Sequence, residues 1–127
     1  MNRLKISTAQ FENRSGDKEY NLGVIEDLAG KAAGQGSQVI AFHECSVTGY
    51  TFARNLSKQQ MLDLAEFIPG GETIARLIRI ARNSGMIVMA GLFEKDEKDR
   101  IYKAYVCVDK DGLVAKHRKL HPFINEY

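Results

Sequence analysis

Cysteine is scarce in this sequence, and so is any long apolar run. Cys45 and Cys107 are the only two cysteines, too few for a disulfide framework, and they read as free thiols in a reducing cytoplasm. No stretch approaches the roughly 18 consecutive apolar residues of a membrane span. The start, Met1-Asn2-Arg3-Leu4-Lys5-Ile6, lacks the apolar segment of a secretory signal. A net charge of +2 is too small to favour nucleic acid or an anionic membrane as a partner. The glycine-rich stretch from Gly30 to Gly36 ends a helical pattern instead of opening one, which is the wrong end for holding phosphate. His117 and His121 are four apart, but on a strand-to-loop segment that spacing does not bring two imidazoles to one face as it would on a helix, and His43 adds no convincing ligand spacing. Neither a metal nor a cofactor is expected, and no internal repeat or linker interrupts the chain.

What remains is a chain of 127 residues, 44% hydrophobic and 27% charged, the composition of a single globular domain. Residues 4–11 read as a first strand. Leu22, Ile25, Leu28, Ala29 and Ala32 recur at intervals of three and four, so a helix is expected from Lys18 to about Ala33. Ser15 or Asp17 can cap it. Residues 38–42 form a second strand, and the resulting β-α-β unit implies parallel pairing. Thr51 to Leu56 reads as a loop. Ser57 is placed to cap a short helix holding Met61, Leu62, Leu64 and Ala65. Pro69-Gly70-Gly71 breaks the chain before a helix over residues 72–83, which Gly85 terminates. On that helix Arg76, Arg79 and Arg82 are expected to be solvated. Residues 86–93 form a buried strand, residues 94–100 a surface turn, and residues 101–108 and 113–116 a hairpin around Asp109-Lys110-Asp111-Gly112. The fold class is therefore α/β, in the order β-α-β-α-α-β followed by a β-hairpin.

Two stretches carry groups that a folding core does not require. The first is Val39-Ile40-Ala41-Phe42-His43-Glu44-Cys45-Ser46-Val47-Thr48-Gly49-Tyr50. Four apolar residues run straight into a carboxylate, which is costly beside a buried strand unless its charge is shared. Strand ends are where α/β proteins commonly place reactive groups. The bland alternative is that Glu44 is a solvated loop residue. The second stretch is Lys116-His117-Arg118-Lys119-Leu120-His121-Pro122-Phe123-Ile124-Asn125-Glu126-Tyr127. Taken alone it could be a solvated basic run. Placed at strand ends, two carboxylates and a lysine can perform acid–base chemistry, and an ammonium can stabilise an oxyanion.

The motifs in these stretches resemble those of the nitrilase superfamily, the carbon–nitrogen hydrolases. Ile40-Ala41-Phe42-His43-Glu44 followed by Thr48-Gly49-Tyr50 is similar to the family's first signature, and Arg118-Lys119-Leu120-His121 to its second. Pro69-Gly70 and the strand containing Ala90-Gly91 fit as well, and the likeness extends over the whole chain. It implies half of an α-β-β-α sandwich and a Glu-Lys-Cys mechanism. Glu44 would be the general base, Lys119 the oxyanion holder, and Glu126 a second structural or catalytic carboxylate. Tyr50 and His43 are candidates for the substrate pocket, Tyr50 more as a support of the loop than as a reactive group. The substrate would be a small amide, N-carbamoyl compound or nitrile.

Two positions depart from the family pattern: His43 stands where proline is usual, and Pro122 where an aliphatic residue is usual. The family's nucleophilic cysteine falls downstream of the lysine, beyond Tyr127. Neither Cys45 nor Cys107 is expected to replace it. The sequence is thus expected to be the N-terminal part of a hydrolase domain, residues 1–127, inactive alone and oligomeric or paired with its missing half, because an exposed sheet edge and apolar face are liabilities. The reading from a different class is a non-catalytic α/β interaction module or a truncated relic of such a hydrolase.

Overall fold

Five strands form a single sheet in the order β1-β2-β3-β4-β5 in the computed structural model, which describes residues 3–119. Strand β1 (Ile6–Ala9) pairs in parallel with β2 (Val39–Phe42), and β2 in parallel with β3 (Ile87–Lys95). Strand β4 (Ile101–Asp109) runs antiparallel to β3, and β5 (Gly112–Arg118) antiparallel to β4. The parallel half comes from the β-α-β crossover and the antiparallel half from the hairpin.

Helix α1 (Lys18–Gly34) starts where the Asp17 carboxylate accepts the backbone N–H of Tyr20, satisfying one of the otherwise orphaned first-turn donors. Its stripe Leu22, Ile25, Ala29 and Ala32 is buried. Helix α2 (Lys58–Leu64) opens with a full capping box between Ser57 and Gln60. Helix α3 (Glu72–Ser84) buries Ile74, Leu77, Ile80 and Ala81, and Gly85 ends it in the left-handed conformation at φ 71°. Helices α1 and α3 cover the same sheet face. There they form one core with Ile40, Phe42, Val88, Ala90, Leu92, Val106 and Val108. A second cluster holds Cys45, Ala53, Met61, Ala65, Phe93 and Ile101, under α2 and a 3-10 turn at Thr51–Asn55. Among the described residues no helix is long and apolar enough to cross a membrane.

Several local expectations need correction. Strand β1 is shorter than residues 4–11, and the segment 51–56 contains a helical turn. Residues 94 and 95 belong to β3, not to a surface turn. Glu94 is 2% exposed because Lys116 Nζ donates to its Oε2 at 2.6 Å and Arg118 Nε to its Oε1 at 2.8 Å. Two members of the basic run are therefore committed to one buried carboxylate, and the Arg118 guanidinium also covers the Tyr102 ring at 4.0 Å. Arg76 is not merely solvated. It joins α3 to α1 through Glu19 at 3.0 Å and Glu26 at 3.1 Å.

Burial alone would push the Glu94 carboxyl up, but its bonds from Arg118 and Lys116 hold it below the usual range. A carboxyl depressed in the folded state contributes stability above its unfolded pKa and loses it as pH falls through the folded one. Glu94→Gln is expected to lower stability by about 1–3 kcal/mol at neutral pH. The gap from the wild type should narrow in acid, as urea unfolding at the two pH values would show.

Candidate active site

The chain leaving β2 is forced into a tight path. Ser46 N–H donates to His43 O and Gly49 N–H to Cys45 O, and Cys45 takes a positive φ of 54°. A non-glycine residue there costs on the order of 1–2 kcal/mol, a strain found mostly where the surroundings fix the backbone. Those surroundings are specific. Gly91 in β3 lies so close that a Cβ on it would sit 2.4 Å from the Cys45 nitrogen. Ser46 Oγ accepts the Gly91 N–H at 3.2 Å, and Val47 N–H donates to Gly91 O at 3.0 Å. From the other side, Asn13 Nδ2 donates to Cys45 O at 3.1 Å. The fully buried Asn21 donates to both Arg14 O and Val47 O at 2.8 Å, joining the loops that follow β1 and β2.

This loop presents the Glu44 side chain, half exposed, at the carboxyl end of β2. Two ammonium groups meet its Oε1, Lys103 Nζ at 2.6 Å and Lys119 Nζ at 3.6 Å. Both lysines come from the hairpin. The Ala104–Arg118 pair brings residues 103 and 119 alongside each other, and Lys119 N–H donates to Lys103 O at 2.9 Å. Tyr50 completes the group, with its ring centroid 3.8 Å from Lys103 Nζ. Bonding from Lys103 holds the Glu44 carboxyl below the usual range against the opposing effect of burial, with Lys119 adding to the lowering. Burial favours a neutral Lys103, but Glu44 overcomes it and raises the ammonium above the ordinary lysine value. Glu44 is thus ionised throughout the neutral range, beside positive charge able to receive a developing anion.

A cavity of about 500 Å³ opens here, lined by Glu44, Lys103, Ala104, Tyr105, His117 and Lys119. The structure therefore brings together Glu44, Lys119 and Tyr50 of the sequence-derived candidates. His43 faces elsewhere: its ring packs edge-on against Phe11 at 5.1 Å and lies 3.4 Å from Asn13 Nδ2. Burial lowers its pKa, so it is neutral at neutral pH. Glu126 and Pro122 lie outside the described residues. Sequence reasoning missed Lys103, Tyr105 and His117. Strand alternation from Lys103 to Tyr105 was the available signal, with the hairpin register adding His117 opposite Tyr105. Tyr105 also donates from its hydroxyl to Phe42 O at 2.6 Å, tying β4 to the end of β2.

Neither thiol suits nucleophilic duty. Cys45 is 1% exposed, and burial pushes its pKa up to about 12. Burial also raises Cys107, which is not among the residues lining the cavity.

Together these features define an α/β protein with a carboxylate–lysine cluster after β2, at the wall of a cavity. A family model described as carbon-nitrogen hydrolase matches residues 5–127, and the chain belongs to that family. A nitrilase from Pyrococcus abyssi (strain GE5 / Orsay) is 32% identical over 123 residues, covering 97% of this chain and 45% of the relative. An omega-amidase from Xenopus tropicalis is 31% identical over 124 residues, covering 97% of this chain and 42% of the relative. Among solved structures, an amidase from Nesterenkonia sp. matches with a TM-score of 0.72 at 23% identity, over 92% of this chain and 43% of the amidase. That likeness shows the fold, and the sheet with its one helical layer is half of the nitrilase-type α-β-β-α sandwich. The chain spans less than half the length of the curated relatives it matches.

The approach of Gly91 to Cys45 makes a test of how the loop is held. Gly91→Ala is expected to cost about 1–3 kcal/mol by overpacking and to displace Glu44 from the two lysines. Urea unfolding reads the first effect. An upward move of the Glu44 carboxyl titration, followed by NMR, reads the second.

Proposed function

We propose that these residues form the glutamate- and lysine-bearing part of a hydrolase acting on a non-peptide carbon–nitrogen bond in a small amide, N-carbamoyl compound or nitrile. The observation that carries this reading is an ionised Glu44, anchored at a strand end, meeting the Lys119 ammonium at the wall of a cavity. Membership of the family supports it. So do the printed activities of its relatives, a nitrilase and an omega-amidase.

In this mechanism Glu44 accepts the proton of a nucleophilic thiol. The thiolate attacks the substrate carbon, and Lys119 holds the oxygen of the tetrahedral intermediate as it becomes negative. The protonated Glu44 then gives its proton to the leaving nitrogen, which departs as ammonia or an amine and leaves a thioester. Water, deprotonated by Glu44, attacks the thioester; the acid leaves and the thiol is restored. With a nitrile the thiolate adds to the carbon and the nitrogen takes the proton from Glu44, giving a thioimidate; one water then displaces ammonia to leave the thioester, and a second water cleaves it. The thiol comes from outside these 127 residues, because Cys45 is buried with its pKa raised, and Cys107, also raised by burial, does not line the cavity. Structures of the Nesterenkonia amidase include a covalent adduct formed from fluoroacetamide at an active-site cysteine, which supports a thiol nucleophile on this fold.

Fluoroacetamide therefore serves as the test, read by intact mass. The 127 residues alone are expected to take up no adduct and to release no ammonia from small amides. Stoichiometric labelling of Cys45 or Cys107 would overturn the assignment of the nucleophile. In a form that also carries the nucleophile, Glu44→Gln and Lys119→Ala should each abolish ammonia release while circular dichroism stays unchanged. Near wild-type turnover in either variant would refute the assigned roles.

A further inference from the structure

Lys103 occupies a position that packing does not explain. It lies on β4 directly across from Phe93 and beside Lys119. Like charges side by side on adjacent strands are unfavourable, and burying an ammonium is more so. Yet Lys103 is 3% exposed, while the Lys119 side chain is 48% exposed. An apolar residue opposite Phe93 would serve the core at less cost. What the sheet gains from lysine is the contact at 2.6 Å with Glu44 Oε1, a full ångström shorter than the contact from Lys119 to the same atom. The Tyr50 ring covers the ammonium from the loop side and contributes a cation–π attraction.

We propose that Lys103 is a positioning residue of the hydrolytic site: it anchors Glu44 through Oε1, so that the Lys119 ammonium is left to meet the substrate oxygen. The proposal rests on the reading of Glu44 as the general base. With a single lysine, the carboxylate would draw that lysine into a tight pair, and the same ammonium would have to serve both the base and the oxyanion. Two lysines divide the work. The buried one fixes the carboxylate, and the half-exposed one, at 3.6 Å, keeps a looser contact. Both contacts fall on Oε1, which leaves Oε2 as the oxygen that takes the thiol proton. When it does, the negative charge leaves Glu44 for the sulfur and then the substrate oxygen. The Lys119 ammonium, whose contact with Glu44 is the looser of the two, then meets the substrate oxygen as its charge develops, an interaction stronger in the transition state than in the ground state.

The first test follows the carboxyl titration of Glu44 by NMR in the 127-residue chain, with amide spectra reporting the fold. Lys103→Met is expected to move the titration upward, and by more than Lys119→Met does. No movement, or a smaller one than Lys119→Met gives, would overturn the proposal. Should Lys103→Met fail to fold, the reciprocal measurement is made in Glu44→Gln, whose side chain is half exposed. There the Lys103 ammonium should titrate at a lower pH than in the wild type, and an unchanged titration would refute the pairing. Neither readout depends on hydrolysis, so a failure of the hydrolase reading is seen separately, as absent turnover with these shifts intact. In an active form, Lys103→Met should move the acid limb of kcat/KM to higher pH, since a base with a raised pKa is lost to protonation sooner. A uniform loss at every pH would mark a merely structural role.

Discussion

Everything at this site depends on how closely the chain leaving β2 can lie against β3. Gly91 permits that approach, since any side chain there would collide with the Cys45 backbone. The loop then takes its hydrogen bonds from β3 on one side and from Asn13 on the other. With both sides fixed, the left-handed turn at Cys45 is held in place and Glu44 has little choice of direction. The strain is local, while the restraint comes from three separate parts of the chain. This is a common solution for holding a reactive group more exactly than its own rotamer preferences would.

Charge follows the same logic throughout. Three carboxylates near the sheet are each matched by donors from distant segments: Glu44 by Lys103 and Lys119, Glu94 by Lys116 and Arg118, and Glu66 by Lys18 and Thr73. Glu66 accepts the Thr73 N–H at the start of α3, where a helix N-terminus favours negative charge. Glu94 and Glu66 fasten one element to another and are largely buried, whereas the Glu44 side chain is half exposed at the wall of its cavity. All three are ionised and partnered, so exposure to solvent is what sets Glu44 apart.

Much of this was legible from the residues. The helical stripes of α1 and α3, the caps at Asp17, Ser57 and Gly85, the parallel β-α-β unit and the closing hairpin follow from periodicity and turn chemistry. Glu44 stood out because polar groups directly followed an apolar strand, and Lys119 because Arg118-Lys119-Leu120-His121 resembles the family's second signature. Lys103 did not, because it sits inside a strand where a lysine reads as the solvent side of an alternating pattern. Only the register between β4 and β5, together with the path of the loop after β2, shows that this face is closed by Glu44 and Tyr50. Glu94 was misread for a related reason. A charged residue at a strand end resembles the start of a turn until its two partners on β5 are known. Local pattern records what a residue prefers, and these departures arise from pairings across the sheet.

Lys103 lies on β4 and Lys119 directly follows β5, while Glu44 follows β2. Before the hairpin docks, Glu44 is an ordinary solvated carboxylate with an ordinary affinity for protons. Its acidity therefore depends on contacts between segments widely separated along the chain. The proton affinity of this one side chain is thus a built-in gauge of assembly. A chain that has formed its helices and parallel strands but has not seated its hairpin lacks both the two lysines beside Glu44 and the Val106 and Val108 side chains of the core.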